Sequence, residues 1–390
     1  MSPTRRCLIL VPTLGRGGTE RQAVLVARAL KERGLDVHLF VQSPPDSLAR
    51  DGLTHGLSVE LPTTASSKLG QFVRLRQRVR LLAPDVVITF LRGATARFAA
   101  LRAVSATARR SAWIVASRGN LRLLHLAKNP AVFGAQLLWQ RSADRVATNS
   151  AALAGNLHAM NGALAGKIVV VPNIVQPLVF DEVAARARVR ELVGNDGHPV
   201  IGCLGSFQDE RNYELLARAL PFVLERHPAA HALILGRDTG PWVSDVARAF
   251  RDRVRELGVA DHVTVAGETQ NGASLLPGFD VFALTSKLEG SSNALSEALL
   301  AGVPIATVPV ADAAELVQDA GVLSRGWTPA AFADALLTAV DTAGSLRQRA
   351  AARGRAMMEE RSAAQVGERW ALLIEDAILT AKRRRGGGTP

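Results

Sequence analysis

The chain has 390 residues, 48% of them hydrophobic and 21% charged, with a mean hydropathy of +0.12. At about 150 residues per domain this describes two globular domains with a sizeable core, and it excludes disordered, collagen-like and disulfide-stapled classes. The formal charge of +12 is uneven: residues 1–175 hold 24 Lys and Arg against 8 Asp and Glu, and residues 176–390 hold 23 against 27. A cationic first half favours an anionic partner there: a phosphorylated small molecule, an acidic polysaccharide, an anionic lipid or nucleic acid. Only six of the 47 basic residues are lysines, which either arginine-rich coding or selection for forked phosphate donors would produce. Cys7 and Cys203 lie in apolar runs in different halves, arguing for a reducing compartment and against a disulfide framework or a thiolate metal site. The run Cys7 to Val11 is too short for a signal segment, and no window approaches the roughly 18 apolar residues of a membrane span. A cytoplasmic protein is therefore expected, unless it also binds a membrane surface.

In chain order, strands are expected at Cys7–Val11, Val37–Val41, Val86–Phe90, Trp113–Ala116, Arg145–Thr148 and Ile168–Val171. A second series follows at Val200–Leu204, Ala232–Leu235, Val263–Ala266, Val281–Leu284 and Ile305–Thr307. Helical patterns separate them, as at Glu20–Lys31, Gly70–Leu82, Glu214–Glu225, Asp245–Leu257 and Asn293–Leu300. Unbroken β-branched runs alternating with amphipathic helices indicate parallel sheets covered on both faces. The series restarts after Val171-Pro172-Asn173, and Gln176 to Asp196 reads as a connector. The expected fold is α/β, with two doubly wound, Rossmann-like parallel-sheet domains facing one another across a cleft; ligands of such sheets bind at the carboxyl ends of the strands. The tail Arg383 to Pro390 reads as disordered.

Two loops stand where chemistry is expected. Leu10 to Glu20 is a strand, a glycine loop (Gly15, Gly17, Gly18, Thr19) and a helix start. It is either a plain turn or a cradle for phosphate or sugar on helix N-terminal amides, and it has neither dinucleotide nor Walker spacing. Val281 to Pro304, VFALTSKLEGSSNALSEALLAGVP, reads as a buried strand, a loop, and a helix capped by Ser292 and stopped by Gly302 and Pro304. Glu289 stays in the loop, and Glu297 lies about 6 Å into the helix at about 1.5 Å per residue. Between them the amides of Gly290, Ser291, Ser292 and Asn293 form an anion cradle, fit for a diphosphate with a sugar at each end. The plainer alternative is two solvated glutamates, with Glu297 stabilised by the helix dipole.

At this stretch the sequence resembles the retaining glycosyltransferases of family 4, of GT-B architecture, whose signature is Glu, seven residues, Glu, then a small-residue helix and Gly-x-Pro. The resemblance covers nearly the whole chain: the glycine loop, Pro-Asp-Val-Val-Ile at 84–88, Ala-Asp-Arg-Val-Ala-Thr-Asn-Ser at 143–150, Lys-Ile-Val-Val-Val-Pro-Asn at 167–173, Gly-Ser-Phe-Gln-Asp-Glu-Arg-Asn at 205–212 and Leu-Ile-Leu-Gly at 233–236. It implies an acceptor-binding domain at 1–175, a nucleotide-sugar-binding domain at 176–365, and a helix in 366–390 that returns to the first domain ahead of the basic tail.

It also implies roles. Glu297 holds ribose hydroxyls, Glu289 lies near the transferred sugar, and the backbone from Gly290 to Asn293 meets the distal phosphate. Relatives carry an Arg and a Lys after the first strand of the second domain; here those positions are Ser206 and Arg211, so Arg211 clamps phosphate, and Arg237 or Lys287 is left to replace the missing cation. At Ala116-Ser117-Arg118-Gly119-Asn120 many relatives have a His; this chain resembles a Ser-x-Arg-Asn subgroup, in which Arg118 points a fixed charge into the cleft and cannot act as a base. Thr307 to Asp312 departs from the family's Thr-Asp and paired glycines, while Glu315 keeps its place. The implied reaction moves a hexosyl or N-acetylhexosaminyl unit from a nucleotide-diphosphate sugar, UDP-linked by family likeness, to a glycan or lipid-linked acceptor with retention, as in polysaccharide or glycolipid synthesis. No cofactor or metal is expected, since amides and a guanidinium take the phosphate charge.

Within the first domain Phe72 to Leu82 interleaves Arg74, Arg76, Arg78 and Arg80 with apolar residues. Its stripe Leu69, Phe72, Val79, Leu82 packs on the sheet, and its arginines, with Arg122 and Lys128, could hold the protein reversibly to an anionic membrane. Two rival readings are an epimerase or hydrolase on the same fold, and a basic nucleic-acid-binding protein. The second is opposed by one Tyr and 5% aromatic residues, which leave few platforms for base stacking, so no nucleic-acid partner is expected.

Overall fold

In β1 (Arg6–Val11) alternate side chains enter opposite layers: Cys7, Ile9 and Val11 join one buried cluster, Leu8 and Leu10 another. A strand buried on both faces needs a helix layer on each side, and that is what the chain supplies. The computed structural model describes residues 4–15, 17–44, 47–50 (only the backbone of Arg50), 52–62, 67–119, 129–194, 199–240, 243–269 and 271–386. It divides into two compact units, Met1–Ile174 with Arg361–Pro390, and Val175–Glu360.

The first unit is a seven-stranded sheet in the order β3-β2-β1-β4-β5-β6-β7. Besides β1 it uses β2 (Asp36–Val41), β3 (Ser58–Glu60), β4 (Val86–Phe90), β5 (Ala112–Ser117), β6 (Arg145–Thr148) and β7 (Ile168–Val170). All are parallel, with Cys7 in register with Val37 on one side and Val86 on the other. Helices Gly18–Glu32 and Ala363–Gly386 cover one face; Lys68–Leu82 and Leu91–Val104 cover the other. The C-terminal helix lies tight on its neighbour, since a Cβ on Gly367 would stand 3.0 Å from the Ala29 Cβ. Trp370 is fully buried with its ring 6.0 Å from that of Phe90, and Arg5–Glu375 (2.9 Å) and Arg145–Asp376 (2.5 Å) pair along the same helix.

The second unit is a six-stranded parallel sheet in the order β10-β9-β8-β11-β12-β13. Its strands are β8 (Val200–Leu204), β9 (His231–Leu235), β10 (Val263–Val265), β11 (Val281–Leu284), β12 (Ile305–Thr307) and β13 (Gly321–Leu323). Gly202 is required in β8, because a Cβ there would sit 1.9 Å from the Phe279 ring. Helix Asn293–Leu300 packs on Ala343–Glu360 at Gly354, where a Cβ would meet Leu299 O at 2.4 Å.

Four sequence expectations are corrected. The short edge strands β3 and β13 had no long apolar run to announce them: none of their residues is buried, and they include Ser58, Glu60 and Gly321. The connector Gln176–Asp196 contains a helix, Glu182–Val193, capped by Asp181, closed by Gly194 at φ +67 and buried through Ala185, Val189 and Val193. The tail is helical as far as Gly386, and residues 387–390 lie outside the described residues. Of the expected stripe in Lys68–Leu82, Val79 is buried and Phe72 and Leu82 pack against the same cluster, joined by buried Gln71 and Leu75, whereas Leu69 is 71% exposed. Arg74 and Arg78 turn to Glu60 at 3.2 and 3.3 Å, which leaves Arg76 and Arg80 as the exposed arginines of that helix. Arg122 and Lys128 lie outside the described residues.

Candidate active site

Three loops of the second unit meet at the carboxyl ends of β8, β9 and β11, and the contact is tight enough to dictate glycine. A Cβ on Gly236 would stand 1.9 Å from Gly205 O, and Gly205 itself has φ +150. Phe207 N donates to Arg237 O at 2.9 Å and Gly205 N to Leu235 O at 2.9 Å, locking the β8 loop to the β9 loop. The β8 loop then turns through Asp209–Arg211 and is tied to the β11 loop by backbone: Lys287 N donates to Glu210 O at 2.7 Å and Thr285 Oγ1 to Arg211 O at 2.7 Å.

That frame fixes Arg211. Its Nη1 is ion-paired with Glu289 Oε1 and lies 3.4 Å from Ser286 Oγ. The side chains are 29% and 13% exposed, so the pair is sheltered but open on one side. The Glu289 carboxylate holds the Arg211 pKa above its ordinary value, against the opposing effect of burial. Tyr213 OH donates to Gly205 O at 2.7 Å, and burial pushes this phenol far up, so it remains a neutral donor.

Gly290, Ser291 and Ser292 follow, all buried, and lead into Asn293–Leu300. Ser292 Oγ caps Leu295 N at 3.4 Å, and Ser296 N takes Ser292 O at 3.2 Å. The amides ahead of these belong to the part of a helix that has no intrahelical acceptor and carries the positive end of the dipole. Glu297 is half-exposed on this helix. The structure thus brings together on one sheet edge Arg211, Glu289, the 290–293 backbone and Glu297: a cation, two carboxylates and a helix N-terminus. Ser206 is half-exposed in the same β8 loop, with its carbonyl accepting from Gln208 N at 2.9 Å. Arg237 is exposed at the end of β9; Lys287 is exposed with its Nζ 3.5 Å from Asp209. Glu315 stands in the first turn of the short helix Ala313–Val317, just after Ala311 at φ +46, a conformation glycine would adopt at less cost.

In the first unit, Gly17 caps helix Gly18–Glu32, with Gly15 before it and Thr19 inside the first turn. The loop carries its own carboxylate: Thr13 Oγ1 donates to Glu20 Oε1 at 3.2 Å, and a Cβ on Gly17 would meet Glu20 Oε2 at 2.3 Å. Burial raises the Glu20 pKa. An anion approaching Gly17 therefore meets Glu20 first, an obstacle that reading the loop as glycines alone does not reveal.

Arg118 also differs from its expected placement. Its guanidinium folds back, donating to Val171 O at 3.2 Å and Asn173 Oδ1 at 3.1 Å, and lies 5.4 and 5.5 Å over the rings of Phe90 and Trp370. Burial lowers its pKa to about 9. Sequence reasoning missed Gln22, whose buried amide clasps the backbone of Ile174 from both sides, at 2.9 and 2.8 Å. No local signal could have found it, because the partners are 152 positions apart.

Comparison with known proteins gives each unit a match. Residues 198–342 match the family described as Glycosyl transferases group 1, and residues 16–177 match the family described as Glycosyltransferase Family 4. Both matched families are glycosyltransferases, and each match covers less than half of the chain. It is 32% identical over 201 residues to the GDP-mannose-dependent alpha-(1-6)-phosphatidylinositol monomannoside mannosyltransferase of Mycolicibacterium smegmatis, a match covering 48% of this chain and 47% of that one. With the lipopolysaccharide core biosynthesis mannosyltransferase LpsB of Rhizobium meliloti it shares 28% over 117 residues, covering 30% of this chain and 33% of that one. These matches thus span a third to about half of those relatives. A longer one, 29% over 359 residues, is to the D-inositol 3-phosphate glycosyltransferase of Stackebrandtia nassauensis, covering 82% of this chain and 78% of the relative. Among solved structures, Anabaena HepE in complex with UDP and glucose superposes with a TM-score of 0.80 at 17% identity, covering 95% of this chain and 99% of that one. The fold is shared; the likeness is too remote to carry more.

Proposed function

We propose that this chain is a group 1 glycosyltransferase, a retaining enzyme of family 4 that moves a hexosyl or N-acetylhexosaminyl unit from a UDP-linked sugar to a glycan or lipid-linked acceptor. The carrying observation is the grouping of Arg211, Glu289, the 290–293 backbone and Glu297 on one sheet edge. In this reading the diphosphate lies on the helix N-terminal amides and exchanges Arg211 away from Glu289. Glu297 accepts from the ribose hydroxyls, and Glu289, released from its pair, faces the sugar. As the bond to the leaving phosphate breaks, negative charge grows where the amides and Arg211 already point, and positioned charge of this kind lowers the barrier without any group having to reorganise. The reading needs no metal and no cofactor.

The UDP preference rests on the family resemblance; HepE, solved with UDP and glucose, shares the fold. The GDP-mannose dependence of the M. smegmatis relative favours GDP instead, and the two are separable. Acceptor binding is assigned to the first unit, on its excess of positive charge. Contact with the inner face of an anionic membrane is assigned to the exposed Leu69, Val73, Arg76 and Arg80 of Lys68–Leu82, which recur at helical spacing. No helix among the described residues is long and apolar enough to cross a membrane.

A thermal-shift panel of UDP, GDP and ADP sugars tests the donor. Stabilisation by UDP sugars that Glu297→Ala abolishes is expected, and a response to GDP sugars alone would replace the donor assignment. NMR of the product anomer tests retention. Turnover of the nucleotide sugar at full rate without acceptor would point to an epimerase or hydrolase.

A further inference from the structure

Five arginines from three separate helices line one open recess of about 410 Å3 in the first unit. Arg102 comes from the end of Leu91–Val104, Arg109 and Arg110 from the end of Ala106–Arg110, and Arg384 and Arg385 from the end of Ala363–Gly386. The recess lies at the amino edge of the sheet, since Arg110 precedes β5 at Ala112 while Arg118 follows its end at Ser117. A six-residue strand, about 17 Å at roughly 3.3 Å per residue, separates the two edges.

Within this cluster, among the described residues, Asp144 is the one carboxylate in an ion pair, with Arg384 at 2.7 Å. Its other oxygen accepts from Trp113 N at 2.8 Å, and it is 2% exposed, so its charge is already committed. Arg102 donates to Ser111 O at 3.1 Å beside the Trp113 ring, and Arg109 caps the carbonyls of Arg102 and Ala103 at 3.0 Å. Arg110 and Arg385 are exposed and hold no ion pair among the described residues. Burial, with repulsion from Arg384 and Arg109, lowers the Arg102 pKa to about 10.

Like charges gathered this way repel unless a counter-anion joins them, and planar guanidinium forks match phosphate oxygens in pairs. Among the described residues no aromatic side chain lines the recess to stack a base, which disfavours nucleic acid. We propose that the recess is a second anion site, binding a multiply ionised phosphate group on the edge of the first sheet opposite the strand carboxyl ends.

The test is thermal shift with pyrophosphate and tripolyphosphate at matched ionic strength, on the full chain and three variants. A ligand that binds only the folded state raises Tm. Arg211→Gln, which weakens the donor site proposed above, should keep a rise that reports on the recess, and the two recess variants are made in that background. The double variant Arg110→Gln with Arg385→Gln should keep its unliganded Tm and bind at least about tenfold more weakly. Ala106→Glu, which puts a carboxylate into the recess, should independently abolish the rise that Arg211→Gln alone keeps. A full rise in both recess variants would overturn the proposal, as would no rise in wild type. Flotation with phosphatidylglycerol vesicles against phosphatidylcholine vesicles identifies the source. Binding lost in the double variant means a lipid headgroup carries the phosphate; a response to soluble phosphates without it means a free phosphate compound does.

Discussion

The Arg211 guanidinium is ion-paired with the Glu289 carboxylate across two loops 78 positions apart. The carboxylate occupies one side of the guanidinium, so a diphosphate has to displace it to reach the cation. Glu289→Gln should therefore release Arg211 and tighten UDP binding about fivefold, the scale of about 1 kcal/mol for a partly exposed pair. If Glu289 also acts on the sugar, turnover should fall at least about 100-fold, the scale of removing one positioned transition-state contact. Calorimetry for affinity and steady-state kcat separate the two effects, and a weaker UDP affinity would show that the pair does not compete with the nucleotide.

Glu297→Ala should weaken nucleotide binding about 10- to 100-fold, since a hydrogen bond to a charged group contributes about 1.5–3 kcal/mol. Isothermal titration with UDP decides this. Unchanged affinity would remove Glu297 from the ribose.

Glu20 gives a pH signature. Its folded pKa is raised above the ordinary 4.5 by burial, so its protonated form is the one the fold favours. That contribution is complete below the ordinary carboxyl range and is lost as pH climbs from there through the raised value. Glu20→Gln should abolish this decline and leave stability at pH 7 equal to or above wild type. Urea unfolding from pH 4 to pH 7 on both proteins provides the comparison.

Ala83 ends the helix Lys68–Leu82 at φ +44, with its N–H bonded to Val79 O, where a Cβ is penalised. Ala83→Gly should gain about 0.5–1 kcal/mol by relieving that strain, net of the added freedom of glycine in the unfolded chain. A higher urea midpoint with an unchanged slope would show it.

Gln22→Ala should cost about 2–3 kcal/mol, because it removes both bonds to Ile174 and leaves a buried N–H and C=O unpaired. Denaturant titration should register this loss, and Gln22→Glu should not restore it, since a carboxylate cannot donate to Ile174 O.

The sequence by itself determined what depends on near neighbours. Buried strands such as Val86–Phe90 and Val281–Leu284 were readable as unbroken apolar runs, and the cap at Ser292 and the spacing of Glu289 and Glu297 as a single loop-to-helix turn. What it could not hold was the partner of each charge. Arg211 meets Glu289, Arg118 folds onto Trp370, and Arg384 reaches Asp144 and Arg102 only because strand order and the return of Ala363–Gly386 bring distant segments to one edge. Local preference fixes which residues form an element; the free energy of a charge is set by whatever the packed chain places beside it, and that is a property of the tertiary structure.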